Sequence, residues 1–183
     1  MPTVFTHGLV GLGAAELFPA ANKPLWFWGL SLALAAAPDL DVLAFSFHIP
    51  YSSLFGHRGF FHSLVCALVV GFGVAGLTCS VLGLPWWWLG FYFFGVTASH
   101  GILDGFTNGG LGIAYFSPLD TRRYFFPWQP IQVSPLGMGF FSAWGWRALR
   151  SEILWVWLPL AVVLGAAVLG RPWWEAGISS KNS

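Results

Sequence analysis

All but one of the histidines and all but one of the aspartates fall into four short clusters in this chain. They are His7 near the start, Asp39 and Asp41 in PDLD, His57 and His62 in FGHRGFFHS, and His100 and Asp104 in SHGILD. Near neutral pH an imidazole binds a metal or moves a proton, and a neighbouring carboxylate can share the metal. The chain has five histidines and eight Lys or Arg, and Phe55–Ser63 holds two of the first and Arg58 of the second. That stretch is the centre of the sequence. His100 and Asp104 stand at i and i+4, on one side of a helix. His57 and His62 are five apart, which suits His57 in a loop and His62 on a first helical turn. The two PDLD carboxylates are too close to face inward together from one regular helix. Asp41 is the favoured ligand, and Asp39 binds or braces. A guanidinium at Arg58, beside such a site, suits a phosphate. Each residue also has a plainer role: His7 at an interface, PDLD as a helix cap, His100 with Asp104 as a structural pair, and Arg58 as a cap or headgroup contact. His48 has no partner nearby and reads as structural or interfacial. Arg122 and Arg123 read as headgroup contacts.

The elements that must position these residues are hydrophobic. The chain has 183 residues, of which 56% are hydrophobic, 19% aromatic and 8% charged, with mean hydropathy +0.69. Soluble domains carry about 25% charged residues, so this is an integral membrane protein, expected as one domain over 1–183. A net charge of +1 gives no basic field for nucleic acid. Twelve tryptophans suit anchoring at the lipid–water boundary. Cys66 and Cys79 lie in an apolar run and read as small hydrophobes. The start, MPTVFTHGLV, lacks a positive leader region, so no cleaved signal is expected. Helices are expected over about 4–18, 25–37, 60–84, 86–104 and 153–170. A turn covers Pro19–Pro24, Pro38 ends the second helix, and Val42–Gly59 is irregular. Gly71, Gly73 and Gly76 in the third helix would admit a close neighbour. Residues 105–150, with Pro118, Pro127, Pro130 and Pro135, cannot lie exposed in hydrocarbon, because their backbone groups would be unpaired. They belong at the interface.

Alternating crossings then sort the clusters. His7 starts the first helix, Asp39 and Asp41 end the second, His57 and His62 open the third, and His100 and Asp104 end the fourth. All four therefore fall on one membrane face, and the connections at the other face hold no histidine or aspartate. The expected fold is an all-α polytopic bundle of four to five helices, with its metal-ligand clusters at one face.

These motifs resemble a known family. Thr6-His7, then PDLD, then HRGFFHS, then SHGILD followed by Thr107 and glycines, is similar to the YdjM-like family of membrane-bound proteins regarded as metal-dependent hydrolases, whose founding bacterial member is under LexA control. The resemblance runs from Thr6 to about Pro118. Phe61 stands where the family often has Thr, which removes a hydroxyl and leaves both histidines. The order of His, Asp, His and His-x-x-x-Asp is more distantly similar to zinc phospholipases C and single-strand nucleases, which cleave phosphate esters. The resemblance implies phosphoester chemistry with one or two divalent ions, zinc before manganese or magnesium; a site at the interface with so little soluble protein around it suggests a lipid or lipid-phosphate substrate. His7, Asp41, His62, His100 and Asp104 are the expected ligands. Arg58, His57 and Asp39 are the expected catalytic groups. A metal or proton transporter, which would also use intramembrane His and Asp, and a scaffold with a structural metal are the alternatives. The expected location is the inner membrane, multi-pass. Arg58, Arg122, Arg123, Arg147 and Arg150 on the site face, against Lys23, Arg171 and Lys181, place that face and the N-terminus in the cytoplasm by the positive-inside rule.

Overall fold

The computed structural model describes residues 1–20, 23–135 and 137–179, with side chains described to residue 170. The turn expected at Pro19–Pro24 contains residues 21 and 22, and the polar tail contains residues 180–183; these lie outside the described residues. The chain forms α1 (Val4–Leu17), α2 (Leu25–Ala36), α3 (Leu64–Leu82), α4 (Trp86–Gly105), α5 (Ala143–Glu152) and α6 (Leu158–Ser179). Among the described residues, three helical stretches are long and apolar enough to cross a membrane: Leu25–Phe47, Leu64–Leu82 and Ala143–Gly170. The core lies between α1, α2 and α4, where Ala15, Phe27, Ala35, Leu89 and Phe93 have no exposed surface.

Three boundaries differ from the sequence reading. Pro38 does not end the second helix. α2 runs directly into a 3₁₀ segment, Ala37–Phe47, with Pro38 in its first turn, where a missing N–H costs nothing. The stretch expected to be irregular from Val42 is thus helical as far as Phe47. His48 caps this segment with a left-handed φ of 56° and points away from the clusters, exposed. The third helix starts at Leu64, not Phe60. Ser63 is its N-cap and accepts from Cys66 N at 3.0 Å. His62 therefore sits in a separate 3₁₀ turn, Phe60–His62, ahead of the helix. Finally, α5 lies inside the region expected to be irregular. It continues through a π-helical turn, Ile153–Trp157, into α6.

The rest of 105–142 folds over the cluster end of the bundle. Its pairing among the described residues is two isolated bridges, Thr107 with Ile131 and Ile113 with Tyr124. Backbone bonds such as Leu64 N to Tyr115 O (2.9 Å) tie it to the start of α3. Arg123 staples it further, donating to the carbonyls of His57 (3.0 Å) and Tyr51 (2.8 Å).

Of the three α3 glycines, Gly71 alone makes the expected close approach. A Cβ there would strike the backbone of Phe94 in α4, whereas Gly73 and Gly76 face open space.

Candidate metal centre

Local backbone explains why PDLD delivers both carboxylates. In a helix of about three residues per turn, positions i−1 and i+1 lie on either side of the face opposite i. Leu40 is 66% exposed, and Asp39 and Asp41 are both buried. The expectation that only one could turn inward fails for that reason. In the GHRG loop, Gly56 and Gly59 pack against the carbonyls of Pro50 and Leu54, where a Cβ would not fit. Arg58 between them has a φ of 62°, a left-handed conformation that non-glycine residues seldom adopt. The result aims His57, Arg58 and His62 into the bundle end.

The four clusters meet there. His7, Asp39, Asp41, His57, Arg58, His62, His100 and Asp104 are all buried. One ligand atom from each of Asp39, His62, His100 and Asp104 lies within 4.8 Å of the others. His100 Nε2 is 3.1 Å from Asp39 Oδ1. His62 Nε2 is 3.7 Å from the same oxygen and 3.6 Å from Asp104 Oδ2. Two ligands of one tetrahedral ion, each about 2.0–2.1 Å from it, stand about 3.3 Å apart. These separations fit a shared cation.

His100 adds a tautomer argument. Its Nδ1 lies 2.7 Å from Ala35 O, and a carbonyl only accepts, so Nδ1 carries the proton. Nε2 is then the ring atom turned toward Asp39 Oδ1, at 3.1 Å, where a cation could lie between imidazole and carboxylate. Metal-bound histidines characteristically donate their second N–H to a carbonyl or carboxylate in this way. Several buried atoms of the centre lack hydrogen-bond partners, among them Asp39 Oδ2 and His62 Nε2. Orphaned buried polar atoms are costly. Asp39, Asp41 and Asp104 bring three carboxylates into this buried end of the bundle, with the Arg58 guanidinium among them. Burial alone would lower the pKa of His62; Asp39 and Asp41 instead hold it up, to about 9.

Asp41, His57 and His62 form a second convergent group of different character. His57 Nδ1 lies 2.6 Å from Asp41 Oδ1, a hydrogen-bond distance and too short for two ligands of one ion. Asp41 Oδ2 accepts from Arg58 N at 3.0 Å and lies 3.0 Å from His62 Nδ1. Both its oxygens are occupied by protein groups. His57, with Arg58, Phe45 and Tyr51, lines a cavity of about 150 Å³. The Arg58 fork, which the sequence offers to a phosphate, is spent internally. Nε lies 3.1 Å from Asp104 Oδ2, one Nη donates to Gly109 O at 2.6 Å, and the other donates to Thr107 Oγ1 at 3.1 Å. His7 stacks on His100 with ring centroids 3.6 Å apart, and its Nε2 is 3.5 Å from Asp104 Oδ1. It stands at the edge of the quartet.

The sequence reading missed Glu152, which is fully buried. Its carboxylate accepts from Thr3 N at 2.8 Å and from the hydroxyls of Thr3 and Thr6. Trp157 in the π turn donates to Thr6 Oγ1 at 2.7 Å. An anion at a helix N-terminus is favoured by the helix dipole, so the end of α5 clamps the start of α1, which carries His7. The available signal was a lone acid at the head of the final apolar run.

Comparison with known proteins agrees with the architecture. No solved structure matches the chain. It is 39% identical over 187 residues to the inner membrane protein YbcI of Escherichia coli (strain K12), covering 96% of this chain and 99% of that protein. The family model of the YdjM inner membrane protein matches residues 1–174. A buried His/Asp centre at the end of an apolar bundle, matched along almost its whole length, thus belongs to a member of the YdjM inner membrane protein family.

Proposed function

We propose that this protein is a membrane-bound, metal-dependent hydrolase that cleaves phosphoester bonds in a lipid or lipid phosphate at the membrane surface. The observation that carries the reading is the quartet Asp39, His62, His100 and Asp104, with its ligand-like spacing. These four hold one divalent ion, zinc first, with manganese or magnesium also suited to the two carboxylates. When bound, such an ion brings the pKa of a coordinated water toward about 7 and polarises a phosphoryl oxygen. Asp39 is thereby the ligand, and Asp41 orients His57 and His62. His57, held through Nδ1 by Asp41, is left with Nε2 to take a proton on the side of the cavity it lines, as oriented imidazoles do in general-base sites. Arg58 acts through Asp104, holding the carboxylate in place.

One observation favours a structural ion instead: all four quartet residues are buried. The absence of cysteine from the set weighs against it, because closed structural zinc sites are commonly cysteine-rich. The deciding experiment pairs elemental analysis of purified protein with phosphate release from a panel of lipid phosphates. Near-stoichiometric metal, with phosphate release that chelation abolishes and added metal restores, is expected. Metal that is present but whose removal unfolds the protein, with no phosphate released from any lipid beforehand, would establish the structural role.

A further inference from the structure

With the Arg58 fork bonded to the protein, a phosphoester hydrolase needs another donor for the phosphoryl oxygens, whose charge must be met in the transition state. The cavity lined by His57 holds one. Tyr51 is fixed there on three sides. Its ring packs edge-on against Phe45 at 5.9 Å, lies 5.3 Å from the His57 ring, and carries the Arg123 guanidinium over its face at 5.5 Å. Its oxygen accepts from Leu111 N at 3.5 Å. A phenol both accepts and donates, and among the described residues no acceptor takes the Tyr51 proton.

Glycine keeps space open beside that hydroxyl. Gly110 has a φ of 93°, and a Cβ there would lie 2.5 Å from Arg58 Nη1 and 2.7 Å from Tyr51 Oη. Both groups therefore border the volume that the glycine leaves free. The polar side chains lining this cavity of about 150 Å³ are Tyr51, His57, Arg58 and Ser134, and no carboxylate lines it. Arg58 also joins it to the quartet, because its Nε lies 3.1 Å from Asp104 Oδ2. Such a lining suits an anion. The volume suits a small one, being about half of the roughly 300 Å³ at the low end of ligand pockets. We propose that this cavity is an oxyanion pocket for the terminal phosphoryl group of a phosphomonoester, and that the Tyr51 hydroxyl is a catalytic donor to one of its non-bridging oxygens. The inference rests on the hydrolase reading for turnover and on the cavity alone for binding. In the reaction a water oxygen forms the new bond to phosphorus. The ester P–O bond breaks with its electron pair on the alcohol oxygen, and the proton lost by the water passes through His57 Nε2 to that oxygen. Tyr51 keeps its own proton throughout. A phosphodiester would bring a second ester arm into the same small space, so a terminal phosphate is the better substrate.

The test uses full-length, metal-loaded protein in detergent. It is titrated with inorganic phosphate and assayed on a short-chain phosphatidic acid and on the methyl diester of the same lipid. Inorganic phosphate is expected to bind and to compete with the phosphatidic acid, and the diester to turn over at least about tenfold more slowly. Tyr51→Phe removes one oxygen and leaves the ring contacts. It should weaken phosphate binding at least about tenfold and cut kcat about 10²-fold, the usual loss for one such donor, with metal content unchanged. Val133→Phe narrows the same cavity and keeps the hydroxyl, and it too should weaken phosphate binding at constant metal. Parental phosphate binding and kcat in Tyr51→Phe would overturn the inference. Loss of metal from that variant would also overturn it, because the hydroxyl would then be structural. Phosphate binding that chelation abolishes and both variants leave intact would overturn it by placing the anion on the ion alone. Equal turnover of the diester would overturn the substrate class. Tyr51-dependent phosphate binding in a metal-loaded protein that hydrolyses neither ester would overturn the hydrolase reading and leave the pocket standing.

Discussion

At the scale of single residues, the two aspartates of PDLD differ in what surrounds them. Asp41 is held by His57 and by the backbone N–H of Arg58. Asp39 keeps one oxygen without a partner and turns the other to His62 and His100. Asp39→Asn and His100→Ala should therefore abolish stoichiometric metal binding, read by elemental analysis after gel filtration. Asp41→Asn should keep the ion with affinity weakened about 10–100-fold, the range seen when an orienting partner is lost. Full metal content in His100→Ala would remove the quartet assignment. The residue types and their shared face were legible in the sequence, because scarce polar groups in an apolar chain stand out. The partition of roles was not, because it depends on a 3₁₀ turn and a left-handed Arg58 that spacing alone does not reveal. The Arg58 contacts also change the expected mutant. Arg58→Lys cannot reach Asp104, Gly109 and Thr107 together, so it should lower metal affinity along with any hydrolysis. Normal metal content with lost hydrolysis would instead restore a phosphate role for the guanidinium.

At the scale of elements, close packing is confined to particular points. Gly71 lies against the backbone of Phe94, and Gly73, two residues on, faces open space. Gly71→Leu should destabilise the α3–α4 pair by about 1–3 kcal/mol, the usual cost of overpacking. Gly73→Ala should be neutral or stabilising by up to about 1 kcal/mol through helix propensity. Thermal unfolding in detergent separates the two, and equal effects would contradict the packing. The helices themselves were legible from their apolar runs. Their ends were less so: Pro38 was read as a stop, although its place in a first turn makes it harmless, and α5 was hidden by the prolines and aromatics around it. Glycines that pack and glycines that merely lie in the lipid look the same in a sequence.

At the scale of the whole molecule, the inner-membrane location is shared with the YbcI relative, and the sidedness is open to experiment. Arg58 belongs to the centre, and Arg123 to the fold above it, bonded to backbone carbonyls, so the remaining cations on the site face are Arg122, ion-paired with Asp120 at 2.8 Å, Arg147 and Arg150. Leu119 is 90% exposed beside them. Leu119→Cys should resist an impermeant thiol reagent in intact cells and react once the membrane is opened, which places the site face in the cytoplasm. Ready labelling from outside would reverse the orientation. The Glu152 clamp also bears on how the protein is made. The carboxylate that fixes the start of α1 is more than a hundred residues downstream of the threonines it binds. Every residue of the quartet therefore leaves the ribosome before the group that secures the first helix. A chain stopped before Glu152 would carry the whole quartet without that clamp, and its metal content is expected to fall short of the full-length protein's.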